Sequence, residues 1–172
     1  MLGHLAEVRY TIAVTEKEHH FLLQRVQPAM VGLIDGALST LAPIFSVALA
    51  THQTRYAFFA GLATALGAGV SMAFSEGLSD TGELTGRGTP FMRGAITGVG
   101  TFIGGFLHTL PFLIPHYHAA LVCAVVVVAL EMLGLAWIRW RFFHAGFASS
   151  LAWIVLAATV IVVISGALGS TA

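Results

Sequence analysis

The apolar residues of this chain fall into long unbroken stretches, not into the short alternations of a soluble fold. Five such stretches stand out: Pro28–Ala50, Ala57–Leu78, Phe91–Leu113, His118–Ile138 and Ala148–Leu168. Each approaches the roughly 20 residues that a helix needs to cross a bilayer. Backbone groups inside hydrocarbon must bond within their own segment, so each stretch is predicted to be a helix. The pattern predicts an all-α membrane protein of five transmembrane helices. Thr51–Tyr56 and Ile114–Tyr117 read as tight turns, and Ser79–Pro90, with Gly82, Gly86 and Gly88, as the longest loop. Before the first span, Leu5, Val8, Ile12, Phe21, Leu22 and Val26 recur at helical spacing among charged residues. This pattern predicts an amphipathic cytosolic helix over 4–26 that leads into Pro28. The chain then divides into residues 1–27, the amphipathic helix, and 28–172, a five-helix transmembrane domain.

Composition supports lipid as the solvent. Of the 172 residues 57% are hydrophobic and only 9% charged, against about 25% charged in ordinary soluble domains. The net charge is zero and there is no basic run, so no nucleic-acid partner is expected. Cys123 is alone and offers neither a disulfide nor a thiolate metal site. The first 27 residues lack an apolar core and a cleavage site, so no cleaved leader is expected. Arg9, Lys17, Arg25, Arg87, Arg93, Arg139 and Arg141 fall on one side of the predicted topology and only Arg55 on the other. That bias predicts a cytosolic N-terminus and an outside C-terminus. Trp137, Trp140 and Tyr56 lie at span ends, where amphipathic rings favour the interface.

Three acidic residues interrupt the spans: Asp35, Glu76 and Glu131. A carboxylate in lipid is costly, about 2.5–3.5 kcal/mol for Asp at a helix centre, and is a functional candidate by default. Counting from the span ends places Asp35, Met72 and Glu131 at one depth, roughly 9–12 Å inside the cytosolic boundary at 1.5 Å per residue. Met72, Glu76 and Asp80 are four apart and form one stripe on the second helix, leading in from the cytosol. Carboxylates alone suit Mg²⁺, Ca²⁺ or Mn²⁺, and a thioether beside them shifts the preference toward Fe²⁺. The plainer reading is that Met72 fills space while the carboxylates pair or snorkel. Glu16 and His19 form a Glu-x-x-His spacing of the kind that di-iron bundles use, here in one copy.

Small residues concentrate on the second and third spans. Gly94 with Gly98, Gly100 with Gly104, and Ala65 with Gly69 are small-xxx-small pairs, which permit close helix approach and dimerisation. Asp35-Gly36 and Pro43 predict a weakened or kinked first helix. His52, His108, His116 and His118 are placed near the outer face, as an exit mouth or as ordinary interfacial residues. No nucleophile elbow or zinc-protease motif appears, so the chain is not expected to be an enzyme.

Two stretches carry a family resemblance: Gly32-Leu33-Ile34-Asp35-Gly36-Ala37-Leu38-Ser39-Thr40 and Gly69-Val70-Ser71-Met72-Ala73-Phe74-Ser75-Glu76-Gly77-Leu78-Ser79. On these the chain resembles the vacuolar iron transporter family. It is most similar to the membrane half of bacterial membrane-bound ferritins, with Leu84-Thr85-Gly86-Arg87-Gly88 and His108-Thr109-Leu110-Pro111 fitting that branch. The resemblance runs from about Val26 to the C-terminus. It implies a homodimer in the bacterial inner membrane that exports Fe²⁺ or Mn²⁺ from the cytosol in exchange for protons. Asp35 and Met72 are the implied ligands, Glu76 takes the place of a following glutamate, and no cofactor is held permanently. Vacuolar members insert a glutamate-rich domain where this chain has only Ser79–Pro90, and membrane-bound ferritins carry a full ferritin-like domain where this chain has one helix. Residues 1–27 thus read as the remnant of such a domain. The competing expectation is a membrane anchor or oligomerisation module for a ferritin-like partner, for which Asp35 and Met72 are dispensable.

Overall fold

A computed structural model describes residues 15–170 as helices and short connections, with no strand among them. We number the helices α1 (Thr15–Thr51), α2 (Thr54–Ser79), α3 (Pro90–Leu107), α4 (Tyr117–Phe143) and α5 (Phe147–Ser170). Four of them, α1, α2, α4 and α5, are long and apolar enough to cross a membrane. Their outer faces carry large apolar side chains: Phe74 and Leu78 on α2, Val122 and Leu130 on α4, Trp153 and Val163 on α5, all more than 60% exposed. So much apolar surface facing outward is what a helix bundle presents to lipid.

The helix starting at Thr15 continues into the first span without a break, so no gap in the helix marks the expected boundary before Pro28. The earlier part of the predicted amphipathic helix lies outside the described residues. A π-turn over Leu22–Val26 precedes Pro28, and the Gln27 N–H bonds to the Leu22 carbonyl. Proline has no N–H and its ring crowds the carbonyl four residues back; one extra residue in the turn relieves that clash and lets the helix run on. The expected weakness further along is real and sits at Thr40, a turn residue between Gln27–Ser39 and Leu41–Thr51. Its N–H reaches the Gly36 carbonyl at a long 3.4 Å, and Pro43, three residues on, has no N–H for the Ser39 carbonyl.

The third element departs from expectation. α3 is 18 residues long and ends at Leu107, short of the expected Leu113; the chain turns at His108–Thr109 into a single 3₁₀ turn, Leu110–Leu113. α3 is also the most enclosed helix, burying Arg93, Thr97, Thr101 and all five of its glycines. It lies between α1 and α2. Gly32 and Gly36 of α1 meet the Thr97–Gly105 backbone in rising order, so α1 and α3 run parallel. Gly94 meets Gly77, Gly98 meets Gly69 and Gly105 meets Ala65, so α2 runs antiparallel to both. The small-xxx-small pairs therefore do bring helices close, but within one chain: Gly94 and Gly98 face α2, Gly100 and Gly104 face α1. α5 packs on the second half of α1, where Gly169 meets Ser46, and Arg139 of α4 donates to Ser150 of α5 at 3.2 Å.

A Cβ on Gly104 would come within 2.5 Å of the Leu33 carbonyl oxygen, a backbone atom that cannot move aside. One on Gly134 would meet nothing within 4 Å. Gly104→Val is therefore expected to destabilise the protein by about 1–3 kcal/mol or more. Gly134→Ala is expected to stabilise it by about 0.5–1 kcal/mol through lost chain entropy. Thermal unfolding of the two variants in one detergent checks the pair.

Candidate functional site

The acidic residues of the sequence reading end in three different environments. At the end of α2, Glu76 and Asp80 meet two arginines. Arg87 Nη2 lies 2.6 Å from Glu76 Oε1 and Arg87 Nη1 3.4 Å from Asp80 Oδ2. Arg93 Nε sits 2.7 Å from the same Glu76 oxygen, out of line for a hydrogen bond. Its Nη2 donates to the Glu76 and Asp80 carbonyls at 2.9 and 3.0 Å, and to Ser79 Oγ at 3.1 Å. Arg93 is thus a fully buried cation that caps the carboxyl end of α2, where helix carbonyls lack partners. Asp80 also accepts from the Gly82 N–H and from Thr85 Oγ1. Partial desolvation pushes the Asp80 carboxyl up, but these bonds and the two guanidiniums outweigh it and hold it below the usual carboxylate range. Gly82, Gly86 and Gly88 take positive φ, as the tight Ser79–Pro90 loop requires.

Glu131 on α4 is paired differently. Its Oε2 lies 2.8 Å from His108 Nδ1, and His108 Nε2 lies 2.6 Å from Thr40 Oγ1, which donates to the Gly36 carbonyl at 2.8 Å. His108 and Thr40 are fully buried, so His108 is no part of an outer mouth, and its expected interfacial position is corrected. The turn after α3 swings the ring inward, against the break in α1. Thr40 has one proton; once given to Gly36, the short contact to His108 requires Nε2 to donate. Nothing local in the sequence marks this trio, because Thr40 and His108 are 68 residues apart.

Asp35 is the exception. It lies partly buried on α1, one turn before Thr40, with no ion pair or side-chain hydrogen bond among the described residues. Met72 on α2 is likewise partly buried.

The expected common depth of Asp35, Met72 and Glu131 is not found. Against α3 as a ruler, Ala73 meets Gly94 and Gly98, Gly36 meets Thr101 and Gly105, and Glu131 meets His108. Those rungs spread over roughly 15–20 Å at 1.5 Å per residue. Glu16 and His19 are exposed near the start of α1, His19 beside the His20 ring. No three His, Cys, Asp or Glu side chains converge among the described residues. A cavity of about 520 Å³ opens between α4 and α5, is almost wholly apolar, and touches none of these groups.

Comparison with protein-family models, with characterised proteins and with solved structures gives no match to this chain.

Replacing Arg93 leaves Glu76 and Asp80 with only Arg87 and uncaps α2. Arg93→Met is expected to cost about 3 kcal/mol, the scale for removing one partner of a buried ion pair. Asp80 adds a pH signature. Its folded value is depressed, so its contribution is complete above the ordinary value of 3.8 and is lost as pH falls through the lowered one. Thermal midpoints between pH 6 and pH 3 are expected to fall for the natural protein and to fall less for Asp80→Asn.

Proposed function

We propose that the protein exports a divalent transition-metal ion, Fe²⁺ or Mn²⁺, from the cytosol in exchange for protons, with Asp35 as the group for which metal and proton compete. The observation that carries this reading is the partition of the acidic residues. Glu76 and Asp80 are held by Arg87 and Arg93, and Glu131 by His108, whereas Asp35, in an apolar helix, has no ion pair or side-chain hydrogen bond among the described residues. An intramembrane carboxylate without a partner is expensive to keep and marks an ion or proton path. A cation and a proton bind the same carboxylate oxygens, so each displaces the other. The resemblance of the Asp35 and Met72 stretches to the vacuolar iron transporters points to the same exchange.

In this reading α3, which runs parallel to α1 through the same layer, is the fifth span. The arginine-bearing ends face the cytosol, by the positive-inside bias. Two chains pair about a two-fold axis, bringing two Asp35 and two Met72 side chains to one path. Exposed Val31 and Ser39 flank Asp35 along α1, which leaves that face open to a partner copy. Met72 adds a soft ligand without charge. Glu76 and Asp80 are part of the framework at the cytosolic end in this reading, and Glu131 belongs with His108.

Flux into proteoliposomes with an imposed pH gradient tests the proposal. Asp35→Asn is expected to abolish Fe²⁺ and Mn²⁺ flux together with its pH dependence. Met72→Leu, similar in volume, is expected to keep flux and weaken discrimination against Mg²⁺ and Ca²⁺. Normal, pH-dependent transport by Asp35→Asn would overturn the mechanism. Flux retained by both variants, in a protein that still binds a ferritin-like partner, would favour the anchor instead.

A further inference from the structure

We propose that the seam between α1 and α3 is a binding site for an anionic phospholipid, its phosphate held by Arg25 and Arg87 and an acyl chain lying along the groove beneath them. The inference depends on the bundle lying in a bilayer and not on metal transport.

The polar half is a cleft of about 210 Å³ bounded by Gln24 and Arg25 of α1, Arg87 and Thr89 of the loop, and Met92 and Arg93 of α3. Among the described residues its ion pairs leave one cation over. Arg87 and Arg93 face Glu76 and Asp80, two cations against two anions. Arg25 adds a third cation, exposed and without an ion pair among the described residues. Arg87 Nε is buried and has no hydrogen-bond partner. A buried guanidinium donor without an acceptor is costly, and an anionic oxygen is its natural complement. α3 begins at Pro90 behind Thr89, which makes no side-chain cap, so the first N–H groups of that helix add positive potential at the cleft. Gln24 braces the arrangement by donating to the Gly86 carbonyl at 3.1 Å.

The apolar half begins where the cleft ends. A groove of about 380 Å³ runs between Ala29 and Leu33 of α1 and Ile96, Val99 and Ile103 of α3. Arg25, Ala29 and Leu33 are four apart and share one stripe, as do Met92, Ile96, Val99 and Ile103 at spacings of three and four. Cleft and groove thus form one line along the same seam. Val99 is 58% exposed and Ile103 43%, so the groove opens outward along its length. A soluble anion would satisfy the cleft and ignore the groove, and a neutral lipid the reverse. A basic pocket between membrane helices that continues into an apolar trough matches a phosphate joined to an acyl chain.

The test uses the full chain purified in uncharged detergent, with phosphatidylglycerol as probe and phosphatidylcholine as reference, read by native mass spectrometry of lipid-bound protein. Phosphatidylglycerol is expected to be retained preferentially. Arg25→Gln is expected to lower that retention about fivefold, the scale for one basic side chain near a membrane surface. Val99→Trp, which fills the groove, is expected to lower it as well. Arg25 is exposed and makes no ion pair, so Arg25→Gln stands as a test even if the tryptophan variant misfolds. Equal retention of the two lipids, or retention unchanged in Arg25→Gln, overturns the proposal. Displacement of phosphatidylglycerol by millimolar inorganic phosphate, with Val99→Trp lacking any effect, also overturns it by showing a soluble-anion site.

Discussion

The bundle depends on backbone meeting backbone along α3. Where α3 crosses α1 and α2, the atoms nearest Gly94, Gly100 and Gly104 are carbonyl oxygens of the neighbouring helices, not side chains. In lipid, apolar side chains gain nothing by leaving the solvent, so close packing and polar contacts must hold helices together. α3 supplies the first with glycines on two faces, and the second comes from Arg93 at its start and His108 just past its end. The same requirement explains why α3 is less apolar than its neighbours. It buries its glycines and threonines against its neighbours, leaves side chains such as Phe91, Val99 and Ile103 facing outward, and carries a buried arginine at its first turn.

Arg93 follows from that placement. Its guanidinium lies under the loop at the α2–α3 corner, where it meets helix carbonyls that would otherwise be orphaned and two carboxylates that would otherwise repel. Three needs are met by one buried cation. The corner is then rigid enough for three glycines at positive φ to turn the chain back within the Ser79–Pro90 loop. At the opposite level of the bundle His108 plays a comparable part, linking the break in α1 to α4 through Thr40 and Glu131. Polar contacts thus fix α3 at both ends, and glycine packing fixes its middle.

Much of this was legible in the sequence because it is periodic or local. The apolar runs located α1, α2, α4 and α5, the loop glycines located the longest turn, and the small-xxx-small pairs located the close contacts. The partners of the charged groups were not legible, since they depend on which helix faces which. Glu76, Met72 and Asp80 share a stripe as expected, yet two of the three are engaged by arginines that sequence spacing assigned only to membrane orientation. His108 was placed outside because the third apolar run was counted to Leu113; the helix stops at Leu107, and the six residues between carry the ring inward. The common depth inferred for three ligands rested on straight helices of equal extent. The order in which α1, α2 and α4 meet α3 removes it.

The break at Thr40 divides α1 into halves with different neighbours. The first half, Gln27–Ser39, is locked against α3 by Gly32 and Gly36; the second, Leu41–Thr51, packs on α2 and α5 through Ile44 and Ser46. Any movement of one half against the other must pass through the Thr40 turn, where the backbone bond to Gly36 is already long and the side chain is shared with His108. Asp35 lies one turn before that point, on the half held by backbone contact to α3. A carboxylate in this position keeps its height relative to α3, because Gly32 and Gly36 hold that half of α1 against the α3 backbone. The side of the bundle beyond Thr40, not the acid itself, is therefore the part whose packing can change without breaking the glycine seam. The His108–Glu131 pair sits at that boundary.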